Sequence, residues 1–213
     1  TALGGQVASD HAGGAYLSGA AFGQVGGPSF GSLDVVLARF DAAGLRTWTR
    51  QFGSSAIDRP YALIADGAGG VFLCGDTQGD LAATLQGQND SFIARYDAAG
   101  QQQWIVQGGT AAFDSLLGLA LDGAGGVYAL GYTGGDYAGP YLGGSSDGVL
   151  LHFDGAGNVL FGVQFGTDGQ DLPLGIAADG AGGLFVTGST DGLFPGVSAG
   201  AGTGFLARFD ASG

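Results

Sequence analysis

"DGAGGV" at residues 66–71 returns unchanged at 122–127, as "DGAGGL" at 179–184 and, more loosely, as "DHAGGA" at 10–15. The copies stand 56, 56 and 57 residues apart. Gly takes a positive φ without a Cβ clash and Asp can bond the backbone two residues on, so the phrase reads as a tight hairpin turn. One turn written four times at a fixed period is the mark of a repeat architecture.

A second phrase keeps the same period: "ARFDAAG" (38–44), "ARYDAAG" (94–100), "LHFDGAG" (151–157) and "ARFDASG" (207–213). A third follows it, "WTRQFG" (48–53), "WIVQGG" (104–109) and "FGVQFG" (161–166), and the sequence stops at Gly213 before a fourth copy. Between the turns lie short runs such as "YALIA" (61–65), "VFLCG" (71–75), "SFIARY" (91–96) and "QQWIVQ" (102–107). They are rich in β-branched and aromatic residues and bounded by Gly and Asp, which is the strand signature; none has a helical apolar period. Four strands joined by two short hairpins and one longer loop make an antiparallel meander, and meanders set radially make a β-propeller.

The expectation is therefore an all-β chain of four blades of about 56 residues each. The boundaries fall at 1–57, 58–113, 114–170 and 171–213, with the last blade lacking its fourth strand; the alternative is an arc of a larger propeller. The inner-strand copies "GQVAS", "YALIA", "LGLAL" and "LGIAA" are small-sided beside the bulky third strands, as a crowded axis requires. The last blade would expose an edge at Phe205–Phe209, which invites pairing, with another chain or with residues 1–5.

Composition fits this reading. Of 213 residues 45% are hydrophobic and 47 are Gly, enough apolar material for a core and enough Gly for many turns. All 19 acidic residues are Asp, the only cations are six Arg, and the net charge of −13 argues against nucleic acid and anionic lipid as partners. No apolar run is long enough for a membrane helix. Cys74 is the single cysteine, so no internal disulfide exists, and stability must come from packing. The absence of an initial Met and the stop in mid-pattern suggest a fragment or a processed chain.

The three phrases resemble the bacterial β-propeller family of SBBP repeats, in which a D-x-x-G-hydrophobic-G hairpin, an F-x-A-x-h-D-x-x-G hairpin and a W-x-x-x-F-G strand combine. The resemblance covers nearly the whole chain. It implies a propeller fold and a secreted or cell-surface, bacterial setting, and it assigns no activity. The chain departs from it at His152, where the other copies have Arg, and at Thr203, where they have Asp.

Motifs with sharper chemistry fall away on inspection. "LGGSSDGVLLHFD" (142–154) has its Asp one residue too early for a calcium nonapeptide and no nine-residue repetition. "GAGTG" (200–204) lacks the strand–turn–helix setting of a nucleotide loop, and no EF-hand pattern occurs. Cys74 shares its slot with Ser18, Leu130 and Thr187, which reads as a buried structural thiol. His11 replaces a turn Gly, and it shares no slot with His152, so no metal or triad spacing is present.

A meander puts the 1–2 and 3–4 hairpins on one face and the 2–3 and 4–1 loops on the other. The hairpin Asp residues serve turns, and Arg39, Arg95 and Arg208, with His152 as a substitute, are expected to bond a hairpin Asp or a turn carbonyl. The loop face carries the variable segments 19–33, 75–89, 131–146 and 188–202, with the aromatics Phe22, Phe30, Tyr132, Tyr137, Tyr141 and Phe194. It also collects eleven Asp against few cations, chiefly Arg59 and Arg50. Six of these acids recur in register as Asp34/Asp58, Asp90/Asp114 and Asp147/Asp171. The other five, Asp76, Asp80, Asp136, Asp168 and Asp191, are assigned to loops. Each in-register pair could bring two carboxylates together for Ca²⁺, or each Asp could simply cap its own loop.

Function tends to sit on loops held by a rigid scaffold. The expected function is a non-enzymatic, extracellular or cell-surface interaction module. It would bind a protein or carbohydrate through Asp34, Asp58, Asp90, Asp114, Asp147, Asp171, Phe22, Tyr137, Tyr141 and Phe194. The alternatives are a propeller-type hydrolase or lyase, which would gather polar side chains unique to one blade in a central pocket, and a structural spacer.

Overall fold

The hairpin phrase folds as written. In the computed structural model of the chain, which describes residues 2–194 and 203–213, one oxygen of Asp66 accepts the amides of Ala68 (2.8 Å) and Gly70 (2.7 Å). Gly67 takes φ 75°, and His11, in the same slot of the first copy, is held at φ 59°. Asp10, Asp122 and Asp179 build the same turn.

These turns join 15 strands, and no helix occurs among the described residues. The first sheet holds β1 (Ala2–Ser9), β2 (Ala15–Ala21), β3 (Asp34–Phe40) and β4 (Arg46–Phe52). The second holds β5 (Asp58–Ala65), β6 (Val71–Thr77), β7 (Asp90–Tyr96) and β8 (Gln102–Gly108). The third holds β9 (Asp114–Leu121), β10 (Val127–Thr133), β11 (Asp147–Phe153) and β12 (Val159–Phe165). The last has only β13 (Asp171–Ala178), β14 (Leu184–Thr190) and β15 (Thr203–Phe209). Each is an antiparallel meander in chain order. The architecture is thus β-propeller-like, with an incomplete last blade. Residues 2–4 pair with β2 as part of the first inner strand, so they do not cover the last blade as one expectation had it. Part of the loop at 188–202, and most of "GAGTG", lies outside the described residues.

β1 packs on β5, β5 on β9 and β9 on β13, and no comparable contact returns from β13 to β1 among the described residues. The blades therefore follow one another as an open arc. Between them lie three apolar cores. The first joins Tyr16 and Leu37 to Val71, Leu73, Phe92 and Tyr96. The second joins Phe72, Cys74 and Ile93 to Val127, Val149 and Phe153. The third joins Tyr128, Leu130 and Leu150 to Leu184, Val186 and Phe205. The middle strands of the inner blades, such as β6 and β11, are buried on both sides because one side meets the blade before and the other the blade after. Cys74 is one such residue, fully buried, with its thiol pushed far up by burial.

A polar latch ties blades together on the hairpin face. The second oxygen of the Asp in each 1–2 hairpin bonds a third-strand side chain: Arg39 on Asp10 (3.0 Å), Arg95 on Asp66 (2.8 Å), Arg208 on Asp179 (2.5 Å) and the His152 imidazole on Asp122 (3.0 Å). Arg39 also donates to the carbonyl of Ala98 in the next blade, and the indole N–H of Trp48 donates to that same oxygen at 2.9 Å. Arg95 and Trp104 converge likewise on the carbonyl of Gly155, at 2.8 and 3.0 Å. The third junction differs. His152 stacks on Tyr128 (4.2 Å between centroids) and meets the edge of Phe161 (5.2 Å), an aromatic pile where the others have an Arg–Trp fork.

Candidate functional site

On the loop face, the six in-register carboxylates open their strands and are fully buried. That corrects the expectation that they meet a partner and agrees with the alternative that each caps its own loop: donors of that loop and of neighbouring strands consume it. Asp34 accepts the amides of Phe30 (3.0 Å) and Gly31 (3.1 Å), the Ser29 hydroxyl (3.1 Å) and the Gln51 side-chain amide (2.7 Å). Asp90 accepts the Gln86 amide (3.2 Å) and Gln107 (2.9 Å), and Asp147 the Leu142 amide (2.7 Å) and Gln164 (2.8 Å).

The glutamines are the part that sequence reasoning missed. Their carbonyl oxygens accept backbone amides of the 2–3 loop: Val25 and Gly26 on Gln51, Leu81, Ala82 and Ala83 on Gln107, Tyr137 and Ala138 on Gln164. Each Gln thus stitches its carboxylate to a long loop. The signal was present: a polar residue at a fixed place in the third phrase, "W-T-R-Q", "W-I-V-Q", "F-G-V-Q", inside an otherwise packed strand.

The second carboxylate of each pair holds the 4–1 loop. Asp58 accepts the Ser54 amide (2.7 Å) and the Thr77 hydroxyl (2.5 Å), Asp114 the Thr110 amide (2.6 Å) and the Thr133 hydroxyl, and Asp171 the Thr167 amide (2.7 Å). The first blade has Ala2 and Ala21 at the slots of Asp58 and Thr77, so acid and hydroxyl occur together or not at all. Burial, opposed by these donors, raises Asp58 and Asp114 above the ordinary carboxylate value, and the partner Asp34 or Asp90 adds to it.

The pairs do converge, each on one glycine. A Cβ on Gly53 would lie 2.5 Å from Asp34 and 2.7 Å from Asp58; Gly109 and Gly166 sit alike between the other pairs. The space between the carboxylates is therefore filled by backbone. Calcium would have to displace both that backbone and the existing donors. Among the described residues no three His, Cys or Asp gather as a metal-binding group. Of the twelve oxygens in the six carboxylates, Asp147 Oδ1 is left without a hydrogen bond among the described residues.

Asp76 is a second correction. The strands run further than expected, β6 to Thr77 and β10 to Thr133, so Asp76 and Tyr132 belong to strands and not to loops. Asp76 is 3% exposed and receives Arg59 (3.3 Å), Tyr61 (3.1 Å), Asn89 (3.2 Å) and Ser115 (3.0 Å). Burial raises its carboxyl despite these donors, and burial beside Asp76 pushes Tyr61 to about 12. Arg59 and Tyr61 face an open cleft of about 210 Å³ bordered by Gly5, Gly19, Ala20, Leu33 and Pro60. Both oxygens of Asp76 are occupied and sealed from that cleft's solvent. The node therefore struts blade 2 against blade 3 and offers no base to a substrate. Arg50, expected on this face, reaches instead to the carbonyls of Ala99 and Gly100 in a hairpin.

What remains for recognition is not repeated. Phe22 (51% exposed), Phe30 and Phe113 stand out from loops, and Asp168 and Asp191 are exposed on other loops. The exposed Asp80 and Asp136, in contrast, recur 56 residues apart, and each caps its own loop, accepting the amides of Leu85 (2.8 Å) and Tyr141 (2.7 Å). Tyr141 is partly exposed and donates to the Gly144 carbonyl. Tyr137 is mostly a wedge, its hydroxyl 2.7 Å from that of Ser91 and its ring against the second core. Phe194 leans on Phe205, with 5.1 Å between centroids. No helix of the described residues is long and apolar enough to cross a membrane.

Comparison with known proteins places this architecture. A β-propeller repeat model, SBBP, matches residues 47–82 and 160–195. Both matches run from the fourth strand of one sheet through the first two of the next, and both contain the Gln, the Gly and the second Asp just described. The chain is also 30% identical over 176 residues, 73% of its length, to the "Regulatory protein FlaEY" of Caulobacter vibrioides. It spans 18% of that relative's length.

Proposed function

We propose that this chain, which carries SBBP β-propeller repeats at 47–82 and 160–195, is a non-enzymatic recognition module that binds through its loop face. One observation carries the reading. Long loops, pinned at their base by buried Gln–Asp pairs, hold out aromatics such as Phe22 and Phe30 that no other blade repeats. A loop ordered before binding loses less entropy when a partner arrives, so such pinning suits recognition. The exposed aromatics supply apolar contact area, and the net charge of −13 favours a cationic protein or glycan partner. The closed state of the Asp76 node weighs against the enzyme reading. The resemblance to SBBP proteins supports an extracellular or cell-surface setting, and the relative's name supports a regulatory rather than a chemical role.

The test is binding to an immobilised panel of basic peptides and of amino-sugar glycans, with wild type set against Phe22→Ala/Phe30→Ala and Asp168→Asn variants. The reading expects selective binding that weakens with salt and is lost in both variants. Uniform, weak binding unaffected by the variants would remove it.

A further inference from the structure

The three inter-blade cores are closed differently at their outer strands. At the first junction Phe52 leans on Tyr96, with 5.5 Å between ring centroids, and at the third Phe165 leans on Phe209 at 5.1 Å. At the second junction the residue in that register is Gly108, opposite Ser91, and the ring in the place of Tyr96 is Phe153.

A second exchange empties the same place. Ile105 of blade 2 packs on the first core, and its counterpart in blade 3 is Gly162. Two replacements run the other way, Tyr137 for Leu81 and Leu151 for Ala94, but they refill only part of the space. A groove of about 470 Å³ remains between β8 and β12, with Phe153 and Leu151 at its floor and Val106, Tyr137 and Val159 at its sides. It lies well inside the chain and continues the apolar core that blades 2 and 3 share.

The lining narrows what can enter. No charged side chain borders the groove, and an ion placed there would shed water without gaining a partner. Tyr137 brings the one polar side chain. The Ser91 hydroxyl donates to the Gly108 carbonyl (2.9 Å), so the Tyr137 hydroxyl, 2.7 Å from Ser91 Oγ, is the donor of that pair. The Tyr137 oxygen therefore keeps acceptor capacity for an incoming N–H or O–H. Burial pushes this phenol up to about 12, so it stays neutral.

We infer that the groove is a binding site for a small uncharged aromatic molecule of the indole or phenol type. Its ring takes the place that Phe52 and Phe165 hold at the other two junctions, and its N–H or O–H donates to Tyr137. The chain itself supplies the precedent for a ring, since Tyr96 and Phe209 each receive one where Phe153 does not receive one from Gly108. Apolar walls with a single placed polar group, at this volume, suit a small-molecule site. The site is separate from the exposed aromatics of the recognition reading.

The test is calorimetric titration of the full chain with indole, 1-methylindole and cyclohexanol. Indole should bind saturably, one per chain. 1-Methylindole, which lacks the N–H, should bind several-fold more weakly, and cyclohexanol, which lacks a flat ring, should give no saturable heat. Val106→Phe sends a ring into the groove and should abolish indole binding. Tyr137→Phe should bring indole down to the level of 1-methylindole. If Val106→Phe does not fold by circular dichroism, the two indoles on wild type and on Tyr137→Phe still decide. Phe22→Ala/Phe30→Ala should bind indole as wild type does, which keeps this result apart from that of the loop-face test. No saturable heat up to the solubility limit of indole, equal binding of the three probes, or unchanged binding in a folded Val106→Phe overturns the inference. So does binding of acetyl-phenylalanine amide without binding of indole, which would make the groove a seat for a partner's side chain.

Discussion

The hairpin face and the loop face spend the same residue in opposite ways. On the hairpin face Asp10, Asp66 and Asp179 each divide their oxygens, one to the turn and one to an Arg, and Asp122 does the same with His152 in place of Arg. The result lies below the ordinary carboxylate value: for Asp66, burial pushes upward and the Arg95 bond with the turn amides outweighs it. On the loop face Asp58, Asp76 and Asp114 are buried among mostly neutral donors, and burial wins. The first arrangement joins blades, and the second fixes loops. Repeated residues on both faces are thus occupied by the scaffold, which leaves recognition to side chains that the repeat does not specify.

The largest expected effect comes from cutting a loop pin. Gln107→Leu strips Asp90 and the Gly79 carbonyl of a donor and three loop amides of their acceptor. It should cost about 3 kcal/mol in chemical denaturation. A loss below about 1 kcal/mol would mean that the loop stands without it.

The orphan oxygen sharpens the comparison within the loop face. Asp90→Asn turns an amide toward N–H donors and should cost about 2 kcal/mol. Asp147→Asn can place its amide where Oδ1 has no partner, so it should leave stability within about 0.5 kcal/mol. Equal losses would show that Asp147 is satisfied in solution, by water or by a cation. A calcium titration would separate these, since a bound ion raises the melting temperature and water does not.

At the third junction, His152→Arg with Phe161→Trp should rebuild the fork onto the Ala211 carbonyl and add about 1 kcal/mol, while each change alone adds less. Simple additivity in the double-mutant cycle would dissolve the claim that Arg and Trp act as a unit.

The two faces should also titrate in opposite senses. A carboxyl whose folded value is raised binds its proton more readily in the native state. The contribution of Asp58, Asp76 and Asp114 is therefore full below the unfolded value and lost as pH rises through the raised one. The hairpin carboxyls Asp10, Asp66, Asp122 and Asp179 are lowered, so their contribution is present above the unfolded value and lost as pH falls through the lowered one. Melting temperature should rise on acidification from neutrality and then drop below about pH 4. A monotonic fall from pH 7 would contradict the loop-face half of the account.

The sequence showed the blade count, the strand order and the faces, because turn chemistry is local and repetition marks it four times. It also showed the Arg39, Arg95 and Arg208 partners, since a cation beside apolar positions has few places to go. It misplaced Asp76, whose neighbours are Gly and polar residues that look like loop; its strand role comes from Arg59 and Ser115 on other strands, which no local pattern joins. It left Asp34 and its repeats between a binding surface and caps of their own loops, because the glutamine that buries each one lies 17 residues away.

The most direct measurement is melting and binding together on two variants. For Gln107→Leu the account predicts a lowered melting temperature. For Phe22→Ala/Phe30→Ala it predicts an unchanged melting temperature and lost binding to whichever basic peptide or glycan wild type selects. If the aromatic variant melts lower, or binds as wild type does, the division between repeated scaffold and unrepeated recognition is wrong.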